Sequence, residues 1–204
     1  MIIYFMRHGE TDWNTKQLFQ GRTDICLNEN GRKVAEWTKE GLQDVKFDAA
    51  FCSPLLRAKE TAEIILQGRD VELHVDDRLI EMAFGIYEGC HMQEQDENLK
   101  NFFKQPELYQ TPEGGESIDE VFERGENFLN ELYANPKYQD STILVATHGA
   151  FLHALMGVIK NQGLNGFMKG GLYKNCGMTM VEVVDGIPKI LREAFIVYDE
   201  DRTE

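Results

Sequence analysis

Apolar positions along the chain fall into short continuous runs, and between the runs they recur at helical spacing. Ile2 to Met6 and Thr142 to Thr147 are uninterrupted, β-branched and aromatic, the pattern of strands covered on both faces. Asp48 to Cys52 is a weaker run of the same kind. Val71 to Val75 alternates as a half-buried edge strand does, which puts His74 on its exposed side. Met178 to Val184 and Lys189 to Val197 flank Asp185-Gly186, a turn pair that predicts a hairpin.

Helices are expected between these runs. Asn28 to Val45 reads as a mostly polar helix. Ser53-Pro54 is a helix start, with Ser as cap and Pro at the first position. Behind it, Leu55, Ala58, Ala62, Ile65 and Leu66 share one face. Ser117-Ile118-Asp119-Glu120 is a capping box opening onto Val121, Phe122, Phe128, Leu129 and Leu132. Phe151, Leu152, Leu155, Met156 and Ile159 mark a further helix after His148-Gly149. This alternation predicts an α/β fold, a three-layer α/β/α sandwich around a mostly parallel central sheet. Residues 93–115 are the least regular, and Pro106, Pro112 and Gly114-Gly115 mark 89–115 as a lid-like excursion. With no repeat and no linker, residues 1–204 are expected to form a single domain.

Composition narrows the function. In 204 residues, 42% are hydrophobic, enough for a core without disulfide or metal staples. Lys and Arg total 21 against 35 Asp and Glu, a net charge of −14, which argues against nucleic acid as a partner. No run approaches the roughly 18 apolar residues of a membrane helix, and the opening MIIYFMRHGE reads as too short for a signal peptide. Cys26, Cys52, Cys90 and Cys176 lie far apart and read as reduced thiols of a cytoplasmic protein. His148 and His153 are five residues apart, so they do not share the helix face of a zinc pair, and no metal site is expected. The sequence also lacks the glycine-rich loops of nucleotide-binding enzymes.

Ligands of open α/β sheets bind beyond the C-terminal ends of the parallel strands. The residues just past each strand are therefore the ones to inspect. Arg7 and His8 come after the first, the Ser53-Pro54 turn and Arg57 after the second, and His148 and Gly149 after Thr147. In so acidic a chain, this gathering of cations predicts an anion pocket. The guanidinium fork matches phosphate geometry, and helix N-termini at Pro54 and Gly149 would add N–H donors. A neutral imidazole attacks phosphorus, and neighbouring arginines keep it neutral. The expected chemistry is phosphoryl transfer to histidine.

Arg7-His8-Gly9-Glu10-Thr11, with Trp13-Asn14 behind it, resembles the signature of the histidine phosphatase superfamily, in its phosphoglycerate mutase-like branch. Further blocks occur in the family's order: Gln20-Gly21-Arg22 with Asp24 and Leu27; Ser53-Pro54-Leu55 with Arg57-Ala58 and Thr61-Ala62; Leu79-Ile80-Glu81 with Phe84-Gly85 and Glu88-Gly89; Gly114 to Ser117; and Thr147-His148-Gly149. The resemblance implies that His8 becomes phosphohistidine and that Arg7, Arg57 and His148 grip the phosphoryl oxygens. It implies that Asn14 and Gln20 line the pocket, that Gly149 or Ala150 donates a backbone N–H, and that Glu81 is the proton donor. Met82, Ala83 and Phe84 beside Glu81 would strip its hydration, as suits a general acid. Glu10 is the rival acid, ranked second because it has no apolar flank and would repel phosphate beside His8. No metal or cofactor is required, since arginines neutralise the charge.

Phosphatase and mutase share the first half-reaction. Mutases of this family carry a longer and more basic insertion after the acid-bearing segment. Here Gly89 to Pro112 sets Lys100 and Lys104 against Glu94, Asp96, Glu97 and Glu107. That acidic balance disfavours phosphoglycerate, and Phe102, Phe103 and Tyr109 either contact an organic leaving group or pack the excursion down. The reading is a metal-independent phosphomonoester hydrolase of small organic phosphates. The alternatives are a phosphoglycerate mutase-type phosphotransferase and a non-hydrolytic phosphate-binding protein. His91, Lys169, Tyr173 and Lys174 are further candidates for substrate contact. A homodimer through an edge strand or helix face stays open.

Overall fold

Strand β1 (Ile2–Arg7) is the buried run that opens the chain, and β4 (Thr142–Thr147) is its parallel neighbour. The computed structural model describes residues 1–92, 96–169 and 173–199. With β2 (Ala49–Cys52), β3 (Leu73–Val75), β5 (Met178–Val184) and β6 (Ile187–Phe195), they form one sheet in the order β3-β2-β4-β1-β5-β6. The pairs from β3 to β1 are parallel, and β5 and β6 add an antiparallel edge. The helices are α1 (Asp12–Thr15), α2 (Glu29–Gly41), α3 (Leu56–Leu66), α4 (Glu97–Lys104), α5 (Ile118–Ala134) and α6 (Gly149–Ile159).

Period-two alternation sends side chains of each strand to opposite faces. Ile3 and Phe5 of β1, with Ile143 and Val145 of β4, pack with Val121 and Phe128 of α5 and Phe151 and Leu155 of α6. Met6 and Leu144 face the other way and pack with Val34 of α2 and Ile65 of α3. Both faces are thus covered, which makes the three layers. Burying each such side chain stabilises the fold by about 1.5–3 kcal/mol relative to exposure.

The register decides where chemistry can occur. Arg7 pairs with Thr147, so His8 and His148 leave the sheet side by side, and the His8 N–H donates to the Thr147 carbonyl at 2.9 Å. Their ring centroids lie 5.2 Å apart.

Several local expectations need correction. Ser53 does not cap α3. The cap position is Leu55, without a side-chain bond, because the Ser53 hydroxyl accepts the Leu55 N–H and turns toward His148. The polar helix stops at Gly41, short of Val45, where the Leu42 N–H closes the last turn on Thr38 and Lys39 carbonyls. The hairpin is present, with Asp185 and Gly186 both at positive φ, but β6 is set two residues earlier than the periodicity suggested. His74 is half-buried, its ring 5.4 Å from Phe51.

The excursion is more regular than its composition implied. Asp96 caps α4 through the Leu99 N–H, and Leu99 and Phe102 bury one face of it. Glu94, part of the expected acidic balance, lies outside the described residues. Both roots are tied to the body: Gly89 donates to the Phe19 carbonyl at 2.9 Å, and Glu116 to the Ala83 carbonyl at 2.9 Å. No helix among the described residues is long and apolar enough to cross a membrane.

Candidate active site

At the C-terminal ends of β1, β2 and β4, one cavity is lined by Arg7, His8, Asn14, Gln20, Arg57, Glu81 and Gly149. These residues come from distant blocks of sequence, and the sheet gathers them.

His8 is fixed at both ends. Its Nδ1 lies 2.7 Å from the Gly9 carbonyl, which only accepts, so Nδ1 carries the proton and Nε2 the lone pair. Its own carbonyl accepts from Asn175 Nδ2 at 3.1 Å. Gly9 is needed where it stands, since a Cβ there would sit 2.8 Å from the Gly31 carbonyl oxygen. The Gly9 N–H donates to Thr61 Oγ1 at 2.9 Å, and that hydroxyl donates to the Arg57 carbonyl at 2.6 Å.

Arg57 is fully buried. It donates to the Thr23 carbonyl at 2.9 Å, to the Gly21 carbonyl at 2.7 Å and to His148 Nδ1 at 3.2 Å. Burial lowers its pKa to about 10, which leaves it cationic at neutral pH. Arg7 donates from Nη1 to the Tyr173 carbonyl, while its buried Nε has no protein partner among the described residues. An orphaned guanidinium N–H in a cavity is costly unless an anion fills the place. Burial first, then the charges of Arg57 and Arg7, push the His8 pKa well below its ordinary value. Burial and then Arg57 do the same to His148.

His148 stands behind the cavity wall and does not line it. It is fully buried, with Nδ1 accepting from Arg57 and Nε2 2.7 Å from Ser53 Oγ. Both ring nitrogens are therefore occupied by protein.

Glu81 receives three backbone N–H groups: Met82 at 2.9 Å and Phe151 at 3.0 Å on Oε1, and Ala150 at 3.2 Å on Oε2. The first turn of α6, expected to hold the substrate anion, therefore holds this carboxylate. At α3 the Leu56 N–H is likewise taken, by Asp24 Oδ1 at 2.8 Å. The Ala150 N–H proposed for substrate is thus engaged by protein. Gly149 faces the gap itself, where a Cβ would stand 3.7 Å from Arg7 Nε and 3.9 Å from Glu81 Oε2. Glu10 points elsewhere, its Oε1 accepting from Asn28 and Asn30 at the start of α2.

Asn14 Oδ1 accepts from the Thr11 N–H at 3.1 Å, so the acceptor end of the amide is used inside the protein. Gln20 Oε1 accepts from the Thr11 hydroxyl at 3.0 Å. His91, Lys169, Tyr173 and Lys174 do not line the cavity; Tyr173 enters the site through its backbone carbonyl. Sequence reasoning missed Asn175 and the contact of Ser53 with His148, because neither can be read from periodicity or strand-end position.

Residues 3–194 match the family model described as the histidine phosphatase superfamily (branch 1). The chain belongs to that superfamily. It is 35% identical to the uncharacterized phosphatase PhoE of Bacillus subtilis over 76% of this chain and 75% of that protein. It is 33% identical to the probable phosphoglycerate mutase GpmB of Cronobacter sakazakii, over 88% of this chain and 84% of that protein. Among solved structures, YhfR of Bacillus stearothermophilus superposes with a TM-score of 0.88 at 31% identity, covering 96% of this chain and 97% of that one. Histidine phosphatases of this kind act through a phosphohistidine intermediate, and the phosphoglycerate mutase-like fold expected from sequence is the one found.

Proposed function

We propose that this histidine phosphatase superfamily enzyme hydrolyses small organic phosphomonoesters without a metal, with His8 as nucleophile and Glu81 as proton donor. One observation carries the reading: His8 Nδ1 is committed to the Gly9 carbonyl, which leaves the Nε2 lone pair available in a cavity that also holds Arg7, Arg57 and Glu81.

In the first step His8 Nε2 attacks phosphorus and the bond to the ester oxygen breaks. Glu81 gives its proton to that departing oxygen. In the second, the Glu81 carboxylate takes a proton from water, whose oxygen attacks phosphorus; the P–N bond breaks and phosphate leaves. Arg7 and Arg57 stabilise the equatorial oxygens throughout. Asn14 and Gln20 complete the walls around the phosphoryl group, and Gly149 leaves room for it. His148 secures Arg57 and reaches an anion only by releasing Ser53. Cys26, Cys52, Cys90 and Cys176 all stand as thiols, which supports a reducing, cytoplasmic setting.

The test is hydrolysis of p-nitrophenyl phosphate in EDTA, with 3-phosphoglycerate plus a bisphosphate primer in parallel. Nitrophenol release that disappears in His8→Ala supports the phosphatase. Isomerisation with little phosphate release favours the mutase, the reading that the similarity to GpmB keeps in play. Phosphate binding with neither activity indicates a non-hydrolytic binder.

A further inference from the structure

The cavity has a second character beyond its charged residues. The rest of its side-chain lining is chiefly Phe19, Phe84, Met92, Phe102, Phe103 and Met168. The rings brace one another: Phe19 and Phe84 at 4.8 Å, Phe84 and Phe102 at 5.1 Å, Phe102 and Phe103 at 5.1 Å between centroids. Phe19, Phe84, Phe102 and Met168 are buried, while Met92 and Phe103 are only half-buried. A cluster serving only to pack the excursion would not leave these two part-exposed in the cavity that contains His8.

The cations of this lining, among the described residues, are Arg7 and Arg57. Arg57 is tied to two carbonyls and His148, and Arg7 to the Tyr173 carbonyl, so what they have left is needed for the phosphoryl group. An alcohol bearing a carboxylate or second phosphate would bring that anion against phenyl rings and thioethers, stripped of water and unpaired. An alkyl or aryl alcohol would instead remove apolar surface from water on both sides of the contact.

We propose that the leaving-group side of this cavity selects monoesters of uncharged, apolar alcohols, with Met92 and Phe103 as the specificity-determining residues. This rests on the phosphatase reading and names the alcohol it acts on.

The experiment measures kcat/KM along the series from methyl to hexyl phosphate, with phenyl phosphate, phosphoserine and 3-phosphoglycerate for comparison. The expected rise is about two- to fourfold per methylene over the first few carbons. The carboxylate-bearing esters should fall about tenfold or more below butyl phosphate, as an unpaired charge in an apolar site demands. Phe103→Ala should flatten the alkyl gradient. Met92→Lys, at a half-buried position, should narrow the gap between butyl phosphate and 3-phosphoglycerate by about tenfold, since it supplies the missing cation. A flat alkyl series, or 3-phosphoglycerate as the best substrate, overturns the proposal. Binding of alkylphosphonates to His8→Ala by calorimetry makes the same comparison without turnover. A gradient there supports the apolar selection even if hydrolysis fails, and a flat one overturns it even if hydrolysis succeeds.

Discussion

Arg57 Nε donates to His148 Nδ1 at 3.2 Å, and this bond fixes the tautomer of the second histidine. A guanidinium cannot accept, so Nδ1 is the lone-pair nitrogen and Nε2 bears the proton. That proton is directed at Ser53 Oγ, 2.7 Å away. Ser53→Ala would strand a buried N–H at a cost of about 1–3 kcal/mol. Urea denaturation should show the midpoint lowered accordingly, with inorganic phosphate recovering part of the loss. An unchanged midpoint would contradict this tautomer.

The depressed pKa of His8 and His148 sets a direction for pH dependence. Both are neutral when folded and take up protons near 6.5 when unfolded, so the unfolded chain binds more protons below that pH. Their contribution to stability is therefore complete above about 6.5 and is lost as the pH falls toward the folded values. Melting temperature in phosphate-free buffer should decline from about pH 6.5 downward, and less steeply in His8→Asn. The acid limb of kcat/KM should lie below the ordinary histidine value. A limb above pH 7 would remove His8 as the titrating nucleophile.

Glu81→Gln separates acid catalysis from binding. Nitrophenolate leaves unaided, whereas an alkoxide needs a proton. The variant should lose about 100-fold or more on butyl phosphate and much less on p-nitrophenyl phosphate. Equal losses on the two esters would take the proton-donor role away from Glu81.

Gly149→Ala should split stability from activity. The added methyl meets only ordinary contacts, at 3.7 Å from Arg7 Nε and 3.9 Å from Glu81 Oε2, and alanine favours a helix start no less than glycine. Thermal stability should hold or rise slightly. Turnover should fall about tenfold or more, because the methyl takes space meant for a phosphoryl oxygen, and small misplacements there are amplified. Parallel melting curves and p-nitrophenyl phosphate assays decide it.

Much of this was legible in the sequence where a single physical rule dominates. The doubly buried strands at Ile2 and Thr142 declare themselves by uninterrupted apolar runs, and the Ser117 capping box appears with both of its reciprocal bonds. Strand-end position was enough to place Arg7, His8 and Arg57 around one cavity. The short helix α4 was illegible because only Leu99 and Phe102 are buried on it, too few to set a period. Glu81 was found, but not its backbone donors Ala150 and Phe151, since a loop residue meeting the start of α6 is a tertiary fact. Asn175 was invisible for the same reason.

The in-register pairing of β1 with β4 makes one strand a ruler for the other. Because β4 is apolar toward both layers, sliding it by one residue would exchange Ile143 and Val145 for Leu144 and Ala146 with little loss of buried surface. Apolar character alone would permit that error, although the exchanged volumes and the lost bond from the Thr147 hydroxyl to the Leu79 carbonyl would cost packing, and it would carry His148 to the opposite side of the sheet from His8. Single-residue insertions in this strand should therefore abolish turnover while costing only part of the stability, so the reading frame of the strand is guarded by its chemistry more than by its hydrophobicity.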